Sequence, residues 1–425
     1  MTDAAVLIIG GGMLQVPLVR EAQALGLLPL VTDRNPHAPA FQLPGVQPFV
    51  LSTVDVFGHE ELMRALMRMY TVRGVCTAGA DVAPTVAAAA AVAGTPGIPL
   101  EVAQRTYNKA AVREALSAAG LDQYQPAWCT VEAADPPQAL PIHQAVFAEE
   151  QVRTIQWCYG ISMPCVVKPL DQRASRGVTM VHTIAQYVDA KRQVHTYGPT
   201  CLVEASLAGT EHSVEGLLGP DGFLHWFNIV DRFFDYSSGV PIETGHVNPS
   251  ALALLQTAQL QSMFLQVAHA LGVTWGPFKI DALVTQEGDP KVLECTARLS
   301  GGWDCQGTSP LTGRHPMRAL LQLACGMPVD APLTWAPGNG YAACSAVLPP
   351  QQGRIQRLPY LMDIGAPPYV EVVYWHVKPG DVLDALKHNS MRPGFVLAVS
   401  SQSDVAWQRA KTAADALAGG VEVFS

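Results

Sequence analysis

Lys168 closes the apolar run VVKP, and the segment Asp171–Gly177 behind it carries Arg173, Ser175, Arg176 and Gly177. An ammonium, guanidinium groups and backbone N–H donors at a flexible turn suit a polyphosphate. By itself, a lysine at a strand end is more often a solvated edge residue. Farther along, FKIDALV and KVLECTAR flank the turn TQEGDP, a hairpin pattern that sets Asp281 and Glu294 on adjacent strands among apolar neighbours. If the register brings them to one face, two carboxylates oppose each other across the ladder. Such a pair needs protonation, basic partners or a hard cation. Magnesium accepts one or two carboxylates together with phosphate oxygens, and an ion pair with Lys279 or Arg298 is an equal alternative for these residues taken alone. LVEASLAGTE places Glu204 at another strand end and Glu211 beyond it, positions where an acid is ordinarily a surface charge.

The elements that must position these groups can be read from periodicity. Residues 4–100 alternate short apolar strands (AAVLIIG, LLPLVTD, GVCTAG) with helices (LVREAQALG, EELMRALMRMY, VAPTVAAAAAVAG). That alternation predicts a parallel sheet covered by helices on both faces. A helix follows at NKAAVREALSAAG, then strands and a helix to about residue 203, then strands of antiparallel pattern over 211–235. A long helix (ALALLQTAQLQSMFLQVAHALG) precedes the Asp281–Glu294 hairpin, and the segment after about Pro332 adds three strands and a last helix. The opening IIGGGMLQ is part of a dinucleotide fingerprint, with Gly10, Gly12 and, ending the next strand, Asp33. Gln15 stands where the third glycine belongs, so a structural or small-ligand-facing turn is expected rather than a nicotinamide site.

Composition bounds the rest. A chain of 425 residues needs more than one core, and 49% hydrophobic with 15% charged residues is globular. A net charge of −9 argues against general nucleic-acid binding. The nine cysteines are scattered without metal-type spacing, as in reduced thiols of a cytoplasmic protein. The N-terminus lacks a charged leader pattern, and no apolar run approaches a membrane span of roughly 20 residues.

Taken in order, these residues resemble the ATP-grasp superfamily of carboxylate–amine ligases over roughly residues 1–330. The resemblance implies an α/β fold: an N-terminal Rossmann-like (pre-ATP-grasp) parallel sheet followed by a two-lobed α+β ATP-grasp module. Its boundaries would be 1–107 for the first domain, 108–125 for a connector helix, 126–205 for the small lobe or lid, and 206–425 for the large lobe with a C-terminal α/β subdomain. It assigns Lys109 and Lys168 to the ATP phosphates, under a mobile cover of Arg173, Ser175, Arg176 and Gly177. Glu204, Ala205 and Leu207 would cradle adenine, and Glu211 the ribose. Asp281 and Glu294 would bind Mg²⁺ (or Mn²⁺), with Lys279 beside the transferring phosphoryl group and Arg298 facing the acyl-phosphate. Thr296 stands where the family usually has asparagine, which puts that position in doubt as a metal ligand.

Within the superfamily, ECTARLSGGW resembles the L-amino-acid ligases, and PIETGHVNPS resembles a substrate-closing loop of that branch. Glu243, His246 and Trp303 are accordingly expected at the substrate pocket. The implied reaction joins a carboxylate, that of an amino acid, to an amine through an acyl-phosphate, releasing ADP and phosphate. The alternatives are a bicarbonate-using carboxylase or nucleotide-biosynthetic ligase of the same fold, a non-catalytic ATP-binding protein, or a nicotinamide-dependent dehydrogenase. Small-molecule substrates are the implied partners, with neither nucleic acid nor membrane, and a homodimer is compatible with the resemblance.

Overall fold

The computed structural model describes residues 4–133, 141–330 and 340–424. The first sheet is parallel, in the order β3-β2-β1-β4, from β1 (Ala4–Ile9), β2 (Leu28–Asp33), β3 (Gln47–Val50) and β4 (Thr71–Cys76). Period-2 alternation divides β1 between two cores. Val6 and Ile8 pack with the helices Val16–Ala24 and Pro316–Ala324. Ala5, Leu7 and Ile9 pack with Met63 and Leu66 of the helix Val56–Leu66 and with Ala89 and Ala90 of the helix Ala83–Ala93. A strand buried on both faces must be apolar throughout, and β1 is.

The helix Lys109–Ala118 follows, N-capped by Asn108, whose side chain accepts from the Ala111 N–H at 3.0 Å. This cap fixes Lys109 as the first helical residue. The second sheet is antiparallel, in the order β5-β8-β6-β7, from β5 (Trp128–Glu132), β6 (Cys165–Pro169), β7 (Thr179–Val181) and β8 (Thr200–Ala205). The helices Pro141–Tyr159 and Ile184–His195 cover it, burying Ala148, Ile155, Tyr187 and Val194 against the sheet.

The largest sheet has eight strands. Its first half runs β13-β12-β9-β10-β11, from β9 (Gly209–Leu218), β10 (Leu224–Asp235), β11 (Ile242–Asn248), β12 (Gly276–Thr285) and β13 (Pro290–Thr296). It continues through β14 (Tyr341–Val347) to the strands Gly394–Ser400 and Val370–Trp375. The helix Leu254–Leu271 lays Leu260, Met263, Phe264, Val267 and Leu271 on one face, each worth about 1.5–3 kcal/mol as a fully buried side chain. A three-stranded sheet of Gly353–Arg357, Val382–Leu383 and Glu422–Phe424 completes the C-terminal lobe.

Several features depart from the sequence reading, among them the helices Pro141–Tyr159 and Pro316–Ala324 and the three-stranded sheet, which it did not contain. PIETGHVNPS, expected as a loop, is mostly strand β11 in the middle of the largest sheet. Its polar residues are buried because partners meet them, and at Gly245 (φ +159°) a Cβ would come within 2.2 Å of the Cys344 carbonyl oxygen. The helix Leu100–Tyr107 and strand β3 were not expected. The start of the C-terminal segment near Pro332 lies outside the described residues. No helix among the described residues is long and apolar enough to cross a membrane.

Candidate active site

Two cavities of about 510 and 530 Å³ lie side by side, and Ala174, Arg232, Asp281, Glu294 and Asn389 line both. The first lies between the antiparallel β5–β8 sheet and the largest sheet. Lys168 pairs with Leu202 across the β6–β8 ladder, so Glu204, two residues on, shares its face. Lys168 Nζ stands 2.5 Å from Glu204 Oε2, and Arg113 Nε donates to Oε1 at 2.7 Å. Glu204 is thus a buried partner to two cations rather than an exposed acid, and burial, which opposes its charge, is outweighed by Arg113 and Lys168, so its pKa lies below the usual carboxylate range.

Lys109 Nζ donates to the Gln172 carbonyl at 2.5 Å and lies 3.5 Å from Glu294. Burial pulls its pKa down to about 8 against the attraction of Glu294. Val166, Met180, Phe234, Leu283 and Leu293 supply apolar walls, and Ala205 and Leu207 the strand-edge backbone. At the rim Tyr236 donates to Glu211, while burial pushes that carboxyl up.

Asp281 and Glu294 face each other in register across β12 and β13, as the hairpin pattern predicts. Of the alternatives for this pair, the ion pair with Lys279 is present. Asp281 Oδ1 has Lys279 at 2.7 Å and Arg232 at 2.5 Å. Glu294 Oε1 has Arg173 at 2.9 Å, an ion pair without hydrogen-bond geometry. Burial opposes both charges, but the cations win and hold both carboxyls below their ordinary range. Arg298, the other anticipated partner, pairs instead with Asp81 at 2.8 Å, and Asp81 also has Arg173 at 3.7 Å.

The second cavity is lined by Asp81, Lys279, Thr296, Arg298, Trp303 and Asp304, with Leu14 and Gly79 from the N-terminal sheet's turns. Glu243 enters from β11, its carboxylate 2.8 Å from Arg232 and 3.2 Å from Arg392. Trp303 holds φ at +77°, unusual for a bulky residue, with its ring 4.8 Å from that of Tyr374. His246 lines neither cavity. It is buried behind the wall, its Nε2 3.1 Å from Asp304 and 3.2 Å from Thr308, and burial lowers its pKa.

The segment after Lys168 divides its residues between the cavities. Ser175 lines the first, and Arg173 and Arg176 the second. Gly177 lines neither: its positive φ of +70° and its close packing on Tyr197 and Pro169 require glycine there. Ala174 and Ser175 carry φ of +58° and +63° without being glycine, at roughly 1–2 kcal/mol each. At the N-terminal turn, the Gln15 side chain packs over Gly10 and Gly12 and donates to the Ala78 carbonyl. Asp33 accepts from the Gly11 N–H at 2.8 Å. The groups a dinucleotide would use are therefore occupied from within.

Asp81, Arg232, Asn389 and Arg392 complete the walls, with Arg113 held behind Glu204, and none of the five was anticipated. Arg232, in the strand pattern NIVDRFF, was the one with a signal, a charge inside an apolar run.

Residues 161–306 match the family described as ATP-grasp domain, and residues 346–422 match L-amino acid ligase C-terminal domain 2. Dapdiamide A synthase of Enterobacter agglomerans is 26% identical over 264 residues, covering 57% of this chain and 59% of that protein. D-Alanine–D-alanine ligase of Gloeobacter violaceus is 30% identical over 162 residues, 36% of this chain and 52% of that one. The chain thus aligns with about half to three-fifths of the length of these curated relatives. An L-amino acid ligase of Bacillus licheniformis superposes over 100% of both chains with a TM-score of 0.76 at 20% identity. An N5-carboxyaminoimidazole ribonucleotide synthetase of Thermotoga maritima superposes over 97% of both with a TM-score of 0.68 at 16% identity. The paired carboxylates between two cavities thus lie in a chain that shares the fold of these solved structures, with residues 161–306 similar to an ATP-grasp domain and residues 346–422 similar to L-amino acid ligase C-terminal domain 2.

Proposed function

We propose that the protein is an ATP-dependent ligase that joins the carboxylate of an amino acid to an amine. One observation carries the reading: the nucleotide-sized cavity and the charged cavity meet at Asp281 and Glu294, where a phosphoryl group can pass from one to the other. The first cavity takes ATP, its base on the apolar walls, its ribose near Glu211 and its phosphates toward Lys109 and Lys168. Residues 126–205 act as the lid over it, and 206–425 as the floor and the far wall of the second cavity.

The donor set fits a hard cation. Asp281 and Glu294 offer charged oxygens on paired strands, both held ionised, and Glu294 Oε1 accepts no hydrogen bond. They would hold Mg²⁺, which when bound offsets phosphate charge. Among the described residues no group of three or more His, Cys, Asp or Glu side chains could hold a metal alone, so phosphate oxygens would complete the site.

In the reaction, a substrate carboxylate oxygen attacks the γ-phosphorus and ADP leaves with the bridging oxygen. The amine lone pair then attacks the acyl carbon, the amine nitrogen loses a proton, and phosphate departs. Lys279 and Arg298 neutralise charge that builds on the carboxyl and phosphoryl oxygens. The second cavity presents both cations (Arg298, Lys279, Arg173) and anions (Asp81, Glu243, Asp304), which suits a zwitterionic amino acid. Such chemistry draws on cytoplasmic ATP.

The test is magnesium-dependent phosphate release from ATP, screened over single amino acids and amino-acid pairs, with mass spectrometry of products. Release that needs two substrates and yields a condensed mass is the expected outcome. Release that needs bicarbonate instead would replace the acceptor, and ATP binding without release from any acid would remove the ligase reading.

A further inference from the structure

The Arg173–Gly177 segment has left-handed backbone at two non-glycine residues, and a conformation of that kind persists only where its surroundings hold it. What holds it comes from the far end of the chain, in the turn Asn389–Met391. The Asn389 N–H donates to the Ala174 carbonyl at 3.0 Å, and its side-chain Nδ2 donates to Ser175 Oγ at 3.0 Å. Its Oδ1 accepts from the Glu243 N–H at 2.8 Å. The amide orientation follows from chemistry, since a backbone N–H can meet only the oxygen. The neighbours reinforce the tie: Arg176 donates to Ser390 Oγ at 2.9 Å, and Arg392 donates to the Glu243 carbonyl at 3.0 Å and to its carboxylate at 3.2 Å.

Asn389 is buried and lines both cavities. One planar amide therefore bonds the lid loop through its nitrogen and strand β11 through its oxygen. We propose that Asn389 is a positioning residue that latches the Arg173–Gly177 loop over the nucleotide site and ties its closure to the substrate cavity beside Glu243. The inference rests on the ligase reading. Its chemical consequence concerns water. With the loop latched, the acyl-phosphate meets only the amine. With it loose, water attacks the acyl carbon, phosphate leaves, and the carboxylate is regenerated with ATP spent and no amide formed.

The experiment uses the full chain and the variants Asn389→Ala, Ser175→Ala and their combination. Amide hydrogen exchange over 171–178 is followed with and without a non-hydrolysable ATP analogue, alongside the analogue's Kd and the phosphate released per condensed product. In Asn389→Ala, exchange over 171–178 should quicken about tenfold or more while the rest of the lid keeps its protection. The analogue's Kd should rise, and phosphate release should exceed product. Ser175→Ala should reproduce part of this, and the double variant should add little to Asn389→Ala, because the Asn389–Ser175 bond is lost in both. Wild-type exchange, Kd and coupling in Asn389→Ala would overturn the latch, as would a loss of protection spread evenly over the lid. If the wild type binds no analogue, the ligase reading falls, and exchange in the nucleotide-free chain still decides the latch.

Discussion

Asp281 and Glu294 stand opposite each other on paired strands, and cations already surround both: Lys279 and Arg232 on one, Arg173 and Lys109 on the other. Removing one of these charges therefore changes the balance of a network as well as a ligand. Asp281→Asn should leave the fold intact, because asparagine keeps an oxygen for Lys279 and Arg232. Magnesium-dependent ATP turnover should fall by about 100-fold or more, the scale of losing one charge contact to a transferring phosphoryl group. Near-wild-type turnover measured by phosphate release would remove Asp281 from the site.

Arg113, Glu204 and Lys168 form a buried triad in which one carboxylate pairs with two cations. Arg113→Ala should cost about 3 kcal/mol in chemical denaturation, as breaking a buried pair does. Lys168→Ala should cost less, since Arg113 still neutralises Glu204, but it should weaken ATP binding. Denaturation and nucleotide titration of the two variants should rank them in opposite orders.

Lys109 has a folded-state pKa of about 8, below the 10.5 of an unperturbed lysine, because burial disfavours its charge. The unfolded chain thus binds more protons between these values, so this group's contribution to stability rises with pH from about 8 toward 10.5. Nucleotide capture runs the other way. As the ammonium deprotonates above about 8, kcat/KM for ATP should fall. The break should vanish in Lys109→Arg, and a flat profile in the wild type would show that Lys109 does not meet the phosphates.

Asp81 reaches the second cavity from the N-terminal domain and holds Arg298 by its Nε at 2.8 Å. Asp81→Ala frees that guanidinium to turn and leaves it buried without its partner. Steady-state kinetics should show KM for the carboxylate substrate rising about tenfold, on the scale of a lost charge-assisted hydrogen bond, with ATP affinity within twofold of wild type. Equal losses for both substrates would mean that Asp81 acts on the fold and not on Arg298.

The sequence made the hairpin of Asp281 and Glu294 and the strand ending in Lys168 legible because both depend on local periodicity and a tight turn. The same holds for the parallel N-terminal sheet, whose strands are continuously apolar. The burial of Glu204 was not legible because its two cations come from a helix and a neighbouring strand that periodicity cannot align with it. PIETGHVNPS failed as a loop for a related reason: its acid and histidine are buried by Arg232, Arg392 and Asp304. The glycine in that segment, Gly245, belongs to an approach so close that no side chain would fit. Asn389 and Asp81 lie some 200 residues or more from most of what they touch, and nothing in their own neighbourhood marks them.

Strand β14 hydrogen-bonds to β11 at Gly245–Asn248, inside one continuous sheet. The two family matches, 161–306 and 346–422, therefore do not mark pieces that can be exchanged. A chain ended before β14 would bare the backbone edge of β11, a row of unpaired N–H and C=O groups that recruits other strands. A chimera that grafts the C-terminal lobe of a relative must reproduce the β11–β14 ladder, and moving the seam ahead of Ile242 would only transfer the break to the β10–β11 and β9–β12 ladders of the same sheet.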